Sequence, residues 1–138
     1  MLIEWRDTLL VGCEPIDRDH HRLVSLINAL YDDIKAGSRR ETIDNALFDL
    51  ADEVAAHFNH ENTLMLSHEY PDRANHLLEH RKLIERLDSV LDNVDLLDDA
   101  MLLDAVAFMD RWFIDHVTGS DTQLGAFMST RAAPTRPA

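Results

Sequence analysis

The sequence predicts an all-α fold: an up-down-up-down antiparallel four-helix bundle with an irregular N-terminal arm. Three observations carry that prediction. Four stretches repeat their apolar residues at steps of three and four. The links between them are short, which makes sequential helices antiparallel neighbours. The 138-residue chain has the length of one domain able to bury a core without staples.

The first stripe is Leu23, Leu26, Ile27, Leu30, Tyr31 and Ile34, on a helix from about 18 to 36 that Gly37 ends. Asp17 suits its N-cap, and Pro15 suits its approach but not its interior. His20 extends the stripe backward and faces the core, whereas His21 lies about 100° further round and faces solvent. Before it, Trp5, Leu9, Leu10 and Val11, with Gly12 and Pro15, form the arm.

Ser38 and Glu41 have the spacing of a capping box and open the second helix. Its stripe is Ile43, Leu47, Leu50, Val54, His57, Phe58, Glu61 and Met65. Tyr70-Pro71-Asp72 breaks it. The third helix, about 73 to 94, presents His76, His80, Leu83, Leu87 and Leu91. After the acidic link 95–99, the fourth runs to about Thr118 with Leu102, Ala105, Met109, Trp112, Phe113 and His116 inward. Gly119 ends or distorts it. Leu124 and Phe127 then cap the bundle. The domain spans 1–128, and 129–138, with Pro134 and Pro137, reads as a tail.

Antiparallel order has a geometric consequence. Starts of odd helices and ends of even helices lie at the same end, so His20, His57, Glu61, His76, His80 and His116 converge at one level. Asp121 follows His116 by five residues and joins them only where the backbone is reshaped around Gly119. A lone histidine on an apolar face is ordinarily a satisfied core side chain. Five histidines and two carboxylates at one end, with no lysine or arginine in the stripes, pose an electrostatic problem that metal answers. Seven ligands over-supply one metal and suit two. Imidazole and carboxylate without thiolate suit iron, with manganese or a zinc pair compatible. Two Fe(II) ions, two carboxylates and one hydroxide leave a formal charge of about +1, tolerable in an apolar pocket. Oxygen-activating di-iron bundles are carboxylate-rich with Glu-x-x-His pairs. The imidazole-rich set here favours reversible chemistry.

Bulk numbers exclude other classes. With 13 basic and 26 acidic side chains, net charge −13, nucleic acid and anionic membranes are disfavoured as partners. The same charge gives repulsion between copies and favours a monomer. A single cysteine, Cys13, rules out an intrachain disulfide and points to a reducing compartment. No signal peptide and no apolar run near 20 residues is visible, so the expected location is cytoplasmic with no membrane span.

The residues also carry a family resemblance. Ile16-Asp17-Arg18-Asp19-His20, His57-Phe58 with Glu61 and Met65, Tyr70-Pro71, His76-x-x-x-His80, Trp112-Phe113-Ile114-Asp115-His116, and Asp121 with Leu124-Gly125 resemble the bacterial hemerythrins across nearly the whole chain. The resemblance implies two iron ions joined by an oxo or hydroxo group. His76, His80 and His116 would hold one, His20 and His57 the other, and Glu61 and Asp121 would bridge them. It further implies dioxygen as ligand at the His20/His57 iron, behind an apolar wall of Leu23, Phe58, Trp112 and Val117. Oxygen storage, delivery or sensing follows, without enzymatic activity. A di-iron peroxidase, a nitric oxide-handling enzyme or an iron-handling bundle are the alternatives. Sensing would require a separate protein partner. Two positions depart from the common pattern: Asn62 replaces a second acid after Glu61, and Glu69 replaces a glycine before Tyr70. Asn62 lies off the metal-facing stripe. His21, His60 and His68 are expected to be exposed and outside the site.

Overall fold

A computed structural model describes residues 2–132. It contains α1 (Glu14–Lys35), α2 (Arg40–Ser67), α3 (Arg73–Asp92), α4 (Asp99–His116) and α5 (Thr122–Ala132). Helix α1 packs on α2 and α4, and α3 closes the ring against α2 and α4. This is the expected four-helix bundle. Among the described residues there is no strand, and no helix is long and apolar enough to cross a membrane.

The stripes pack as their spacing requires. Leu23, Ile27, Leu30 and Ile34 from α1 meet Ile43, Leu47, Leu50 and Val54 from α2, Leu83 and Leu87 from α3, and Leu102, Val106 and Met109 from α4, all buried. On α4 the buried position is Val106, and Ala105 and Trp112 are half-buried at its flanks. Burial of each large aliphatic is worth roughly 1.5–3 kcal/mol, so this end carries the hydrophobic stabilisation.

Three helix boundaries correct the sequence reading. Helix α1 begins at Glu14, a turn earlier than Asp17 implied, with Pro15 in its first turn. Proline fits there because first-turn N–H groups have no intrahelical partner. The Asp17 carboxylate instead accepts from the Val11 N–H at 2.8 Å and ties down the arm. Ser38 forms no cap on α2, which starts at Arg40 without a side-chain cap bond. Its N–H goes backward to Asp33 O, while Gly37, at φ 72, donates to Ile34 O, a Schellman ending of α1. Beyond α4 the helix does not stop at Gly119. It widens into a π turn, Val117–Asp121, and resumes as α5. Helical backbone therefore reaches Ala132, inside the segment 129–138 read as a tail; residues 133–138 lie outside the described residues.

The arm is held at several points. Asn28 on α1 accepts from Leu2 and Ile3 N–H and donates to Ile3 O. Trp5 stacks on His21 at 3.6 Å, so the exposed His21 still has a packing partner. Gly125 of α5 lies so close to Val11 that an added Cβ would sit 2.0 Å from its carbonyl oxygen. Glu69 holds φ 52 at the end of α2. That left-handed conformation is one a glycine adopts at less cost than a residue with a side chain.

Candidate metal centre

At one end of the bundle the core changes from aliphatic to polar. His20, His57, Glu61, His76, His80, His116 and Asp121 are all buried, none more than 4% exposed. The start of α1, the end of α2, the start of α3 and the end of α4 deliver six of them to one level, as the helix phases predict. The π turn delivers the seventh. Its i→i+5 pattern makes five residues close to one turn, bringing Asp121 onto the same face as His116.

The donor atoms form two overlapping groups able to hold metal ions. One contains Glu61, His76, His80, His116 and Asp121, the other His20, His57, Glu61 and Asp121, with all donor atoms of a group within 4.8 Å of one another. Both carboxylates divide their oxygens between the groups. Glu61 Oε1 lies 3.0 Å from His76 and His80 Nε2, while Oε2 lies 3.0 Å from His57 Nε2. Asp121 Oδ1 lies 3.0 Å from His76 and His116 Nε2, while Oδ2 lies 3.0 Å from His20 Nε2. Metal–ligand bonds of about 2.0–2.2 Å at right angles place neighbouring donors about 3 Å apart. The donor set therefore fits metal in chemistry and spacing.

The nitrogens reinforce this. His20 and His57 Nε2 face each other at 3.1 Å, as do His80 and His116 Nε2. Two neutral imidazole lone pairs at that distance repel unless a proton or cation lies between them. Glu61 Oε2 and both Asp121 carboxylate oxygens are buried without a geometrically acceptable hydrogen bond, although the imidazole nitrogens are close. Lone pairs thus converge on common points rather than on donors.

Electrostatics follow the same logic. Burial pushes the His20 and His76 imidazoliums down, but Asp121 and Glu61 outweigh it and lift both to about 9. Burial pushes the Glu61 carboxyl up, and His20, His57, His76 and His80 more than offset it, holding it well below the usual range. For Asp121, burial and the Glu61 charge raise the pKa, but His116, His20 and His76 hold it low. His80 is pushed down, first by burial. The carboxylates are thus stabilised by imidazole protons, which an incoming metal must displace.

Aromatic rings fix the imidazoles in place. Phe58 lies flat on His80 at 3.7 Å, Trp112 stacks on His116 at 4.4 Å, and Phe113 meets His20 edge-on at 5.4 Å. Beside His20 and His57 is a cavity of about 20 Å3. On that scale one water needs roughly 10–15 Å3. Leu23, Phe58, Trp112 and Val117 all line it, joined by Ile27, Val54, Leu83, Met109 and Phe113. His116 and Asp121 reach it; His76 and His80 do not.

This combination of fold and donor set has a counterpart among known proteins. A family model described as the hemerythrin HHE cation binding domain matches residues 11–127. The chain belongs to the hemerythrin family. It is 27% identical over 121 residues to the bacteriohemerythrin of Stenotrophomonas maltophilia (strain R551-3), covering 87% of this chain and 77% of that one. It is 29% identical over 113 residues to the bacteriohemerythrin of Methylococcus capsulatus (strain Bath), covering 82% and 86%. A solved wild-type hemerythrin superposes with a TM-score of 0.85 at 25% identity, over 94% of this chain and 99% of that one. A solved mutant form of hemerythrin gives 0.84 at 26%, over 93% and 98%.

Within this hemerythrin fold, four polar side chains outside the donor set were not legible as parts of the site. His57 Nδ1–H donates to Asp19 Oδ2 at 2.9 Å, and His60 Nδ1–H donates to the same oxygen at 2.8 Å. His116 Nδ1–H donates to Glu79 Oε1 at 2.8 Å, and Ser120 Oγ–H donates to Glu79 Oε2 at 2.6 Å. His60 is thus half-buried and engaged rather than free in solvent. His68 is half-buried as well, its ring nitrogen bonded to Leu64 O. The one available signal was adjacency: Asp19 precedes His20 and Glu79 precedes His80. Asn62 bonds Arg73 Nε at 2.9 Å and is absent from both donor groups.

Proposed function

We propose that this chain is a cytoplasmic, non-enzymatic protein that binds dioxygen reversibly at a carboxylate-bridged pair of iron ions, for storage, delivery or sensing. His76, His80 and His116 would hold one ion and His20 and His57 the other. Glu61 and Asp121 would be shared, each presenting one oxygen to either group. Iron bound there would supply the redox chemistry for reversible gas binding, and the residues named would hold it.

The observation that carries this reading is the small apolar cavity beside the two-histidine group. Its volume of about 20 Å3 admits a diatomic gas and little more. Leu23, Phe58, Trp112, Phe113 and Val117 face it with apolar surface that offers a water no hydrogen-bond partner. Beyond the proposed ligands, no residue lining it titrates. Proton delivery to a reduced gas is thereby restricted, and reversible binding is favoured over turnover.

Cycling oxygen over the anaerobic, Fe(II)-loaded protein tests the proposal. A visible charge-transfer band that appears with oxygen and disappears on its removal is expected. Irreversible bleaching with peroxide release would make the centre a peroxidase-like or scavenging one. Failure to retain two irons per chain by elemental analysis would sink it.

A further inference from the structure

Five imidazoles point their Nε2 atoms into the cluster, but only two have a partner on the outer nitrogen. His20, His76 and His80 Nδ1 are buried with none among the described residues. His57 and His116 each donate Nδ1–H to a carboxylate. A carboxylate only accepts, so it fixes the proton on Nδ1 and leaves the Nε2 lone pair for the cluster. It also raises the basicity of the ring. The three-histidine group therefore has one anchored ring in three. The two-histidine group has one in two and depends more on its anchor.

That anchor is Asp19. It stands on α1 and reaches across to α2, where His57 and His60 occupy adjacent turns at i and i+3. Both rings bond the same Oδ2 atom, at 2.9 and 2.8 Å. Asp19 is partly accessible, its side chain 28% exposed, against 3% for His57. A solvent-facing carboxylate held by one bond alone would exchange it for water. His60, its side chain 40% exposed, supplies the second bond and closes the outer side.

We infer that Asp19, pinned by His60, is a positioning residue for His57, and that this His60–Asp19–His57 tether sets how firmly the two-histidine half keeps its ion and at what potential. The inference rests on the two-ion reading above. The tether holds the ring at its working angle and strengthens donation from Nε2. Stronger donation stabilises the more oxidised ion, so the tether lowers the reduction potential of that half.

The test uses the full chain, loaded anaerobically with Fe(II) and challenged with graded chelator. Bound iron and midpoint potential are both measured. Asp19→Ala is expected to weaken one of the two ions by about 10- to 100-fold, leave the other at its wild-type affinity, and raise the midpoint potential. His60→Ala shifts both readouts in the same direction by less. Asp19→Asn keeps the shape and an acceptor oxygen without the charge, so it remains testable should the alanine variant fail to fold. It is expected between wild type and alanine. Wild-type affinity and potential in Asp19→Asn and His60→Ala would overturn the tether, and so would equal weakening of both ions. A wild-type chain that retains no iron would instead overturn the two-ion reading itself.

Discussion

The two ends of the bundle solve the problem of a buried core in opposite ways. The far end, between Ile34, Leu47, Leu87 and Leu102, is stabilised by removal of apolar surface from water and needs nothing added. The near end buries seven polar side chains whose lone pairs face one another at 3.0–3.1 Å. It is satisfied only by cations, whether protons on imidazole or metal ions. One helix set thus carries a self-sufficient half that supplies rigidity and a ligand-dependent half that uses it.

Glu61→Gln should break this contrast most severely. It removes a charge that four histidines surround, and a cost of about 3–5 kcal/mol is expected from leaving the remainder uncompensated. Chemical denaturation of the metal-free protein measures it, and elemental analysis should show both ions affected. Leu47→Ala, at the far end, should cost about 3 kcal/mol through lost burial and a residual cavity. Iron content should stay at the wild-type value. Loss of iron in that variant would show that the two ends are not independent. Gly125→Ala drives a Cβ into the Val11 carbonyl and should cost about 2 kcal/mol by overpacking, read as a lower unfolding midpoint. Asp98→Ala removes the cap that accepts from Met101 N–H at the start of α4, the aliphatic end of the bundle, and should cost about 1 kcal/mol, again with metal binding unchanged.

The contrast also explains what could be read from the sequence. Periodicity reports which face of a helix is inward, so the placement of His20, His57, Glu61, His76, His80 and His116 was legible, and so was their common level. Asp121 was legible only as a requirement, because a five-residue step needs a widened turn. Asp19 and Glu79 were not. They lie one position off the inward stripes and reach their imidazoles around the helix edge, a geometry that no stripe encodes. The starts of α1 and α2 were misplaced for a related reason. Asp17 and Ser38 are competent caps, but tertiary contact assigned Asp17 to the arm, and the ending of α1 took up the Ser38 backbone.

The π turn at Val117–Asp121 has a further consequence for how the chain tolerates change. An α-helix advances 100° per residue, and the widened turn absorbs one residue without advancing the face. Asp121 therefore looks at the cluster, and Leu124, Gly125 and Met128 look at the arm and the end of the bundle, because of a count of residues and not because of any one contact. The segment from His116 to Asp121 acts as a ruler. Substitutions at Thr118, Gly119 or Ser120 leave its length intact. Insertion of a further residue there would rotate every later side chain by about 100°, carrying Asp121 and the closing helix off their faces in one step, whereas removal of one would return the turn to ordinary α spacing and keep them in place. The stretch thus has room for one residue fewer and none for one more.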